Sequence, residues 1–245
     1  STDATSSGNT ALNTAFNDET DLKFSRGLSD FDRPQRFVVS YRYDLPFYKG
    51  ATGATGALLG GWALSGITIF QSGAPFSVTD SAAGTAYLGA GLASATLGAQ
   101  LASGGSIGRG TTSGEIHSRL SGYLSLANFT TARVADPLGC LADPIFACTT
   151  AFGNLGRNIY RGPFQQNWDF SLIKNIKITE RQSLRFTTDF FNIWNHVNFA
   201  NPSNNDVETI THDNLGNPTS DGPFGKIFST VGTPRLVQFS LRYAF

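Results

Sequence analysis

From Val237 to the last residue the chain alternates. Val237, Phe239, Leu241, Tyr243 and Phe245 fall on one parity, and Gln238, Ser240, Arg242 and Ala244 on the other. Successive side chains of a strand point to opposite faces, so the segment reads as a strand with one apolar and one largely polar face. The pattern recurs upstream. Phe37, Val39, Tyr41, Tyr43 and Leu45 alternate with Val38, Ser40, Arg42 and Asp44. Trp168, Phe170 and Leu172 alternate with Asp169 and Ser171, before Lys174 and Lys177. Leu184, Phe186 and Phe190 alternate with Arg185, Thr187 and Asp189. A further strand over 62–71 has mixed parity, because Ile67 and Ile69 oppose Trp62, Leu64 and Phe70. Strands are therefore predicted near 36–46, 61–71, 165–177, 183–194 and 234–245.

This arrangement sends Arg42, Asp44, Asp169, Arg185, Asp189 and Arg242 to the side opposite the aromatic rings. A packed core would need a partner for each of these charges, whereas an aqueous lumen solvates them. The last strand also has about the 9–11 residues that cross a tilted bilayer. It closes on an aromatic residue, as an interfacial girdle requires. The predicted fold is all-β: an antiparallel transmembrane β-barrel segment, an incomplete barrel, with long extracellular loops. Even small closed barrels need about eight strands, and an open sheet edge in lipid leaves backbone groups unsatisfied.

The connections divide into short and long. Ile178-Thr-Glu-Arg181 is a short turn, whereas 72–163 and 197–232 are long polar stretches rich in Gly, Ser, Thr and Asn. Short periplasmic turns and long extracellular loops are the habit of membrane barrels. The predicted organisation is a loop over 1–35, a strand hairpin over 36–71, a long loop over 72–163, a second hairpin over 164–196, a loop over 197–232 and the terminal strand over 233–245. Helical spanning is the rival. No charge occurs between Lys49 and Asp80 or between Asp80 and Arg109, and Gly56 to Gly60 fits the GxxxG pattern. Pro75 and the glycines at 60, 61 and 66 interrupt the first stretch, whose most apolar piece, 57–70, is too short for a spanning helix. The stretch 82–104 reads as a low-complexity loop with room for one helix.

Composition agrees with strands and polar loops. The 245 residues carry 18 Lys+Arg against 18 Asp+Glu, so no cationic excess exists to bind nucleic acid. Charged residues are 15%, against about 25% in an ordinary soluble domain. Gly (27) and Phe (20) are both abundant, and 12% aromatics argues against disorder. Met is absent, so Ser1 reads as the product of processing or truncation, and 1–20 has no signal-peptide pattern. Cys140 and Cys148 are the only cysteines. They are read as a small loop disulfide in an oxidising compartment, with two unpaired thiols as the alternative.

Candidate chemistry is sparse. Gly104-Gly-Ser-Ile-Gly108 matches the nucleophile-elbow pattern, but its flanks are Gly/Ser-rich where that motif needs a strand and a helix. His117, His196 and His212 lack metal-ligand spacing, and Glu115 beside His117 reads as a solvated contact. Asp32-Arg33 and Arg157-Asn158 read as loop anchors. No catalytic, cofactor-binding or metal-binding residue is expected, and the chain is read as a non-enzyme.

Several runs in series resemble one family. They are Phe31-Asp-Arg-Pro-Gln-Arg-Phe-Val-Val-Ser-Tyr-Arg-Tyr-Asp-Leu-Pro46, Gly60-Gly-Trp-Ala-Leu-Ser-Gly-Ile67, Gln71-Ser-Gly-Ala-Pro-Phe-Ser-Val78, Phe152-Gly-Asn-Leu-Gly-Arg-Asn-Ile-Tyr-Arg-Gly-Pro163, Phe190-Phe-Asn-Ile-Trp-Asn-His-Val-Asn-Phe199 and Phe224-Gly-Lys-Ile227. With Pro234 to Phe245, they resemble the late barrel of TonB-dependent outer-membrane receptors of the Oar-like, carboxypeptidase-regulatory-like group. The resemblance covers most of 30–245 and is weakest across 80–150. It implies a bacterial outer-membrane location and substrate uptake, with the outer loops contacting a small-molecule, carbohydrate or peptide ligand. It also implies coupling to TonB through a plug that these residues do not contain. Partners are then outer-membrane lipid and the barrel assembly machinery, which reads the final strand; Val237, Phe239, Leu241, Tyr243 and Phe245 are the residues assigned to lipid contact and assembly. The alternative function is a non-transporting surface protein displaying loops for adhesion or structure.

Overall fold

The computed structural model describes residues 16–17, 23, 26–48, 53–88, 97–136, 149–203 and 205–245. These belong to two compact units, one formed by 34–72, 164–199 and 230–245, the other by 1–33, 73–163 and 200–229.

The first unit is built on one antiparallel sheet of five strands, β1 (Arg36–Asp44), β2 (Trp62–Gln71), β3 (Gln165–Lys177), β4 (Ser183–Phe191) and β5 (Leu236–Ala244), paired in chain order. Each strand lies within about three residues of the segment its alternation predicts. Val, Ile, Phe, Tyr and Thr recur in them, the residues whose branched or planar side chains suit a pleated surface. β3 is the longest at 13 residues, about 44 Å of extended chain. β1 and β5 are the edges, and every residue of both is exposed.

Two kinds of connection serve the sheet. β3 turns into β4 through 178–182, where Ile178 N–H donates to the Gln182 carbonyl at 2.9 Å and Gln182 N–H to Thr179 Oγ1 at 3.1 Å. β1 and β2 are joined by 45–61, which holds a short helix, α1 (Gly53–Leu59). The GxxxG glycines end that helix: Gly60 N–H donates to the Gly56 carbonyl at 3.0 Å. Gly61 follows with φ +71°, at a point where any side chain would strike the Asn175 carbonyl. Among the described residues, no helix is long and apolar enough to cross a membrane.

The second unit shows that much of 73–163 and 200–229 is folded around its own core. Its strands are two-residue ribbons pairing Pro75–Phe76 with Tyr160–Arg161, Gln100–Leu101 with Phe129–Thr130, and Thr211–His212 with Pro218–Thr219. An aromatic cluster packs them. Tyr160 meets Phe76 at 6.0 Å and Phe129 at 5.7 Å between ring centroids, and Phe129 meets Phe224 at 5.7 Å. Leu124, Leu155, Val78 and Val207 are fully buried beside buried polar groups. Such a core gives long connections fixed positions, which a solvated loop does not have.

Candidate functional site

The register of the sheet decides which side chains share a face. Directly paired residues lie side by side on the same face. Phe37, Tyr41 and Tyr43 of β1 pair with Phe70, Gly66 and Leu64 of β2. These continue to Gln166, Phe170 and Leu172 of β3, then to Phe190 and Thr188 of β4, and to Val237 and Phe239 of β5. The result is one continuous apolar surface across all five strands. Val237, Phe239, Leu241 and Tyr243 all lie on it and are 41%, 66%, 67% and 50% exposed, while Phe245 just beyond the strand is 95% exposed.

The rings on this surface touch one another. Phe186 stacks on Phe239 at 6.2 Å, Phe170 meets Phe190 at 6.3 Å, Phe37 stacks on Phe70 at 6.5 Å, and Phe70 meets Trp168 edge-on at 5.4 Å. Fully burying one such side chain is worth about 1.5–3 kcal/mol. Exposed apolar patches on soluble monomers rarely exceed a few hundred Å². A surface of this extent is therefore costly in water and favourable against hydrocarbon.

One cation lies on the apolar face, and the fold covers it. Lys174 is paired with Trp62 in the register and with Phe186 on the other side. It is only 5% exposed. Its ammonium donates to the carbonyls of Leu58, at 3.0 Å, and Gly60, and lies 5.1 Å from the Trp62 ring centroid. Trp62 Nε1 donates to the same Leu58 carbonyl at 3.1 Å. The carbonyls at the end of α1 and just beyond it thus solvate a charge that would otherwise meet the aromatic surface. The parity of 168, 170, 172 and 174 already carried this information.

The opposite face is polar and charged. Arg42, Asp44, Asp169, Arg185, Asp189 and Arg242 occupy it together. Arg42 pairs with Asp44 at 3.2 Å, Asn167 donates to Asp169 at 2.9 Å, and Ser171 donates to Asp189. Ile67 and Ile69 also fall here, which accounts for the mixed parity of β2. At the end of the sheet where β2 finishes and β3 begins, a cavity of about 290 Å³ is lined by Arg36, Gln71, Gln165, Asn167, Asn198 and Thr233. Gln71 donates to Gln165 at 2.7 Å across it.

The run 190–199 is a clamp on the terminal strand. Asn192 and Asn195 both adopt the left-handed region, at φ 48° and 50°, which Asn tolerates better than most residues. The buried Asn192 amide donates to the carbonyls of His196 and Thr233 at 2.9 and 3.1 Å, and its backbone N–H donates to Asp169 at 3.0 Å. Asn195 Oδ1 accepts from Arg235 N–H at 3.1 Å. The chain leaving β4 is thereby tied to the chain entering β5.

In the second unit the family-like runs around 31 and 157 meet. Arg157 pairs with Asp30 at 3.4 Å, and Arg161 with Asp32. The Asn158 amide donates to Asp30 at 2.6 Å and to the Leu28 carbonyl at 2.8 Å. Asp80, 1% exposed, accepts from the backbone N–H groups of Ala82 at 2.9 Å and Ala132 at 2.6 Å. Burial, the adjoining Asp80 carboxylate and Asp206 together push the Glu208 carboxyl above its usual range. Burial pushes the Tyr160 phenol up to about 12. Burial also raises Tyr123, against the Arg119 guanidinium that lies 4.3 Å from its ring.

The remaining candidates stay apart. Ser106 of the elbow-like run has extended backbone and precedes a single 3-10 turn, with its N–H bonded to Asn128 at 2.9 Å. His117 and Glu115 are 3.9 Å apart, and each is 67% exposed. His196 meets Gln166, and His212 borders a groove on the 211–219 hairpin. No cluster of three metal-ligating side chains occurs among the described residues. Cys140 and Cys148 lie outside the described residues.

Compared with known proteins, residues 1–238 match the family described as outer membrane beta barrel domain. No curated protein and no solved structure matches the chain.

Proposed function

We infer that this chain, which belongs to the outer membrane beta barrel domain family and resides in the bacterial outer membrane, supplies late wall strands and extracellular loops to a TonB-dependent receptor for substrate uptake. The observation that carries the reading is the two-faced sheet. Its aromatic face suits lipid, its charged face suits an aqueous passage, and its two long connections lead into a unit with a fixed core. A receptor needs loops of defined shape, because recognition depends on positioned groups. The runs 31–46 and 152–163, which resemble the Oar-like group, are tied by the Asp32–Arg161 contact, with Asp30–Arg157 beside it. β1 and β5 have free edges among the described strands, and further strands must cover them in lipid.

Uptake would proceed by binding at the outer loops, followed by TonB-driven movement of a plug carried elsewhere in the receptor. The test is whether the intact outer-membrane protein that contains this chain binds the periplasmic domain of TonB. Binding that strengthens with loop ligand supports energised uptake. A stable barrel that binds no TonB supports the display of loops for adhesion or structure.

A further inference from the structure

On β3, β4 and β5 the charges of the polar face are segregated along the strands. Asp169 and Asp189 stand toward the end where β3 begins and β4 ends, and Lys177, Arg185 and Arg242 toward the opposite end. Arg185 and Arg242 are direct register partners, so their Cα atoms are about 4.5–5.5 Å apart. Like charges placed directly opposite weaken a strand pair. The usual remedy is a carboxylate, as Arg42 has in Asp44 at 3.2 Å on the same face. Neither Arg185 nor Arg242 has one within ion-pairing distance among the described residues. Asn175 Oδ1 takes one N–H of Arg185 at 2.9 Å. Asp189 is four residues along β4, about 13 Å away, and is held by Ser171.

Each guanidinium presents five N–H donors in a planar fork that matches a carboxylate or phosphate. We propose that Arg185 and Arg242 form a binding site for an oxyanion, a carboxylate or a phosphate monoester, which bridges the two forks. The site needs the polar face to be wet and is independent of whether uptake is driven by TonB. The oxyanion can be a free solute or an acidic side chain from a segment that enters the lumen. The shared chemistry is charge-assisted, bidentate hydrogen bonding.

The test uses the intact protein in detergent micelles, with the arginine Nε–Hε resonances assigned through Arg185→Gln and Arg242→Gln and inorganic phosphate as the titrant. The expected result is that both resonances shift together, that either substitution weakens the apparent phosphate affinity at least about tenfold, and that Arg42→Gln leaves it unchanged. That outcome assigns a soluble oxyanion. If both groups instead exchange slowly with water and ignore phosphate, and Arg242→Gln restores fast exchange at Arg185, the site holds a carboxylate of the protein itself. Fast exchange at both groups with no phosphate response, or a response equal to that of Arg42, would overturn the proposal.

Discussion

The Tyr41 ring lies across the strand pair over Gly66: the two are register partners, and a Cβ built on Gly66 would stand 2.5 Å from the Tyr41 hydroxyl and 2.7 Å from the Asp169 carbonyl. A glycine in a strand interior is normally a weakness. Here the ring fills the gap left by the missing side chain and covers the backbone on the apolar face.

Gly66→Val should therefore destabilise the folded protein by about 1–3 kcal/mol, the usual cost of overpacking. Tyr41→Ala should also destabilise it, by uncovering the Gly66 backbone. Denaturant unfolding in lipid vesicles measures both. A Gly66→Val variant as stable as the parent would show that the ring does not occupy this place.

Neighbouring residues of β5 face different surroundings. Phe239→Arg places a charge on the aromatic face near the middle of the strand and should cost about 2–4 kcal/mol. Gln238→Arg, on the wet face, should fall within about 0.5 kcal/mol of the parent. Equal costs at both positions, measured by refolding into vesicles, would contradict the assignment of faces.

Two buried tyrosines of the second unit should respond oppositely to loss of the hydroxyl. Tyr123 Oη donates to the Arg161 carbonyl at 2.8 Å, so Tyr123→Phe should cost about 1 kcal/mol. Tyr160 Oη is buried without a hydrogen-bond partner among the described residues, so Tyr160→Phe should be neutral or stabilising. In the parent, a phenolate absorbance titration should show one tyrosine ionising near 12, lost in Tyr160→Phe. A folded-state value raised above the ordinary 10.0 means that stability is complete below 10.0 and is lost as pH rises toward 12.

Glu208 supplies a second pH dependence. Its carboxyl is raised above the ordinary 4.5, so the folded form holds the proton more tightly than the unfolded one. That stabilisation is complete below 4.5 and is lost as pH rises through the raised folded value. Glu208→Gln resembles the protonated form. It should match the parent in melting temperature at acid pH and exceed it near neutrality. Parallel pH profiles for the two proteins would remove Glu208 from the account.

The strands were legible because period-two alternation survives wherever one face meets lipid or water. β5 and β1 state their faces outright. β2 blurs because Ile67 and Ile69 sit on the polar side. Lys174 was visible on the apolar parity, but its partners were not, since α1 arises from Gly-Ala-Thr-Gly-Ala-Leu-Leu, a run with no helical stripe. The second unit was not legible at all as a folded body. Its ribbons are two residues long, too short for any period, and its ties join distant positions: Asp80 to Ala132, Asn17 to Gly153, and Asp30 to Arg157. Such contacts depend on the completed fold, and only the pairs Asp32-Arg33 and Arg157-Asn158, which read as loop anchors, gave a local sign of them.

The direction of Trp168 decides whether the aromatic face of the sheet meets lipid. The chain has three tryptophans; Trp62→Phe and Trp194→Phe leave Trp168 as the only one, on the apolar face of β3. Moving that tryptophan one residue, with Trp168→Phe and Asn167→Trp, places it on the polar face instead. In vesicles with brominated acyl chains, Trp168 fluorescence should be strongly quenched by lipid and protected from aqueous iodide, with the order reversed at position 167. Iodide quenching of Trp168 together with lipid quenching at 167 would contradict the account.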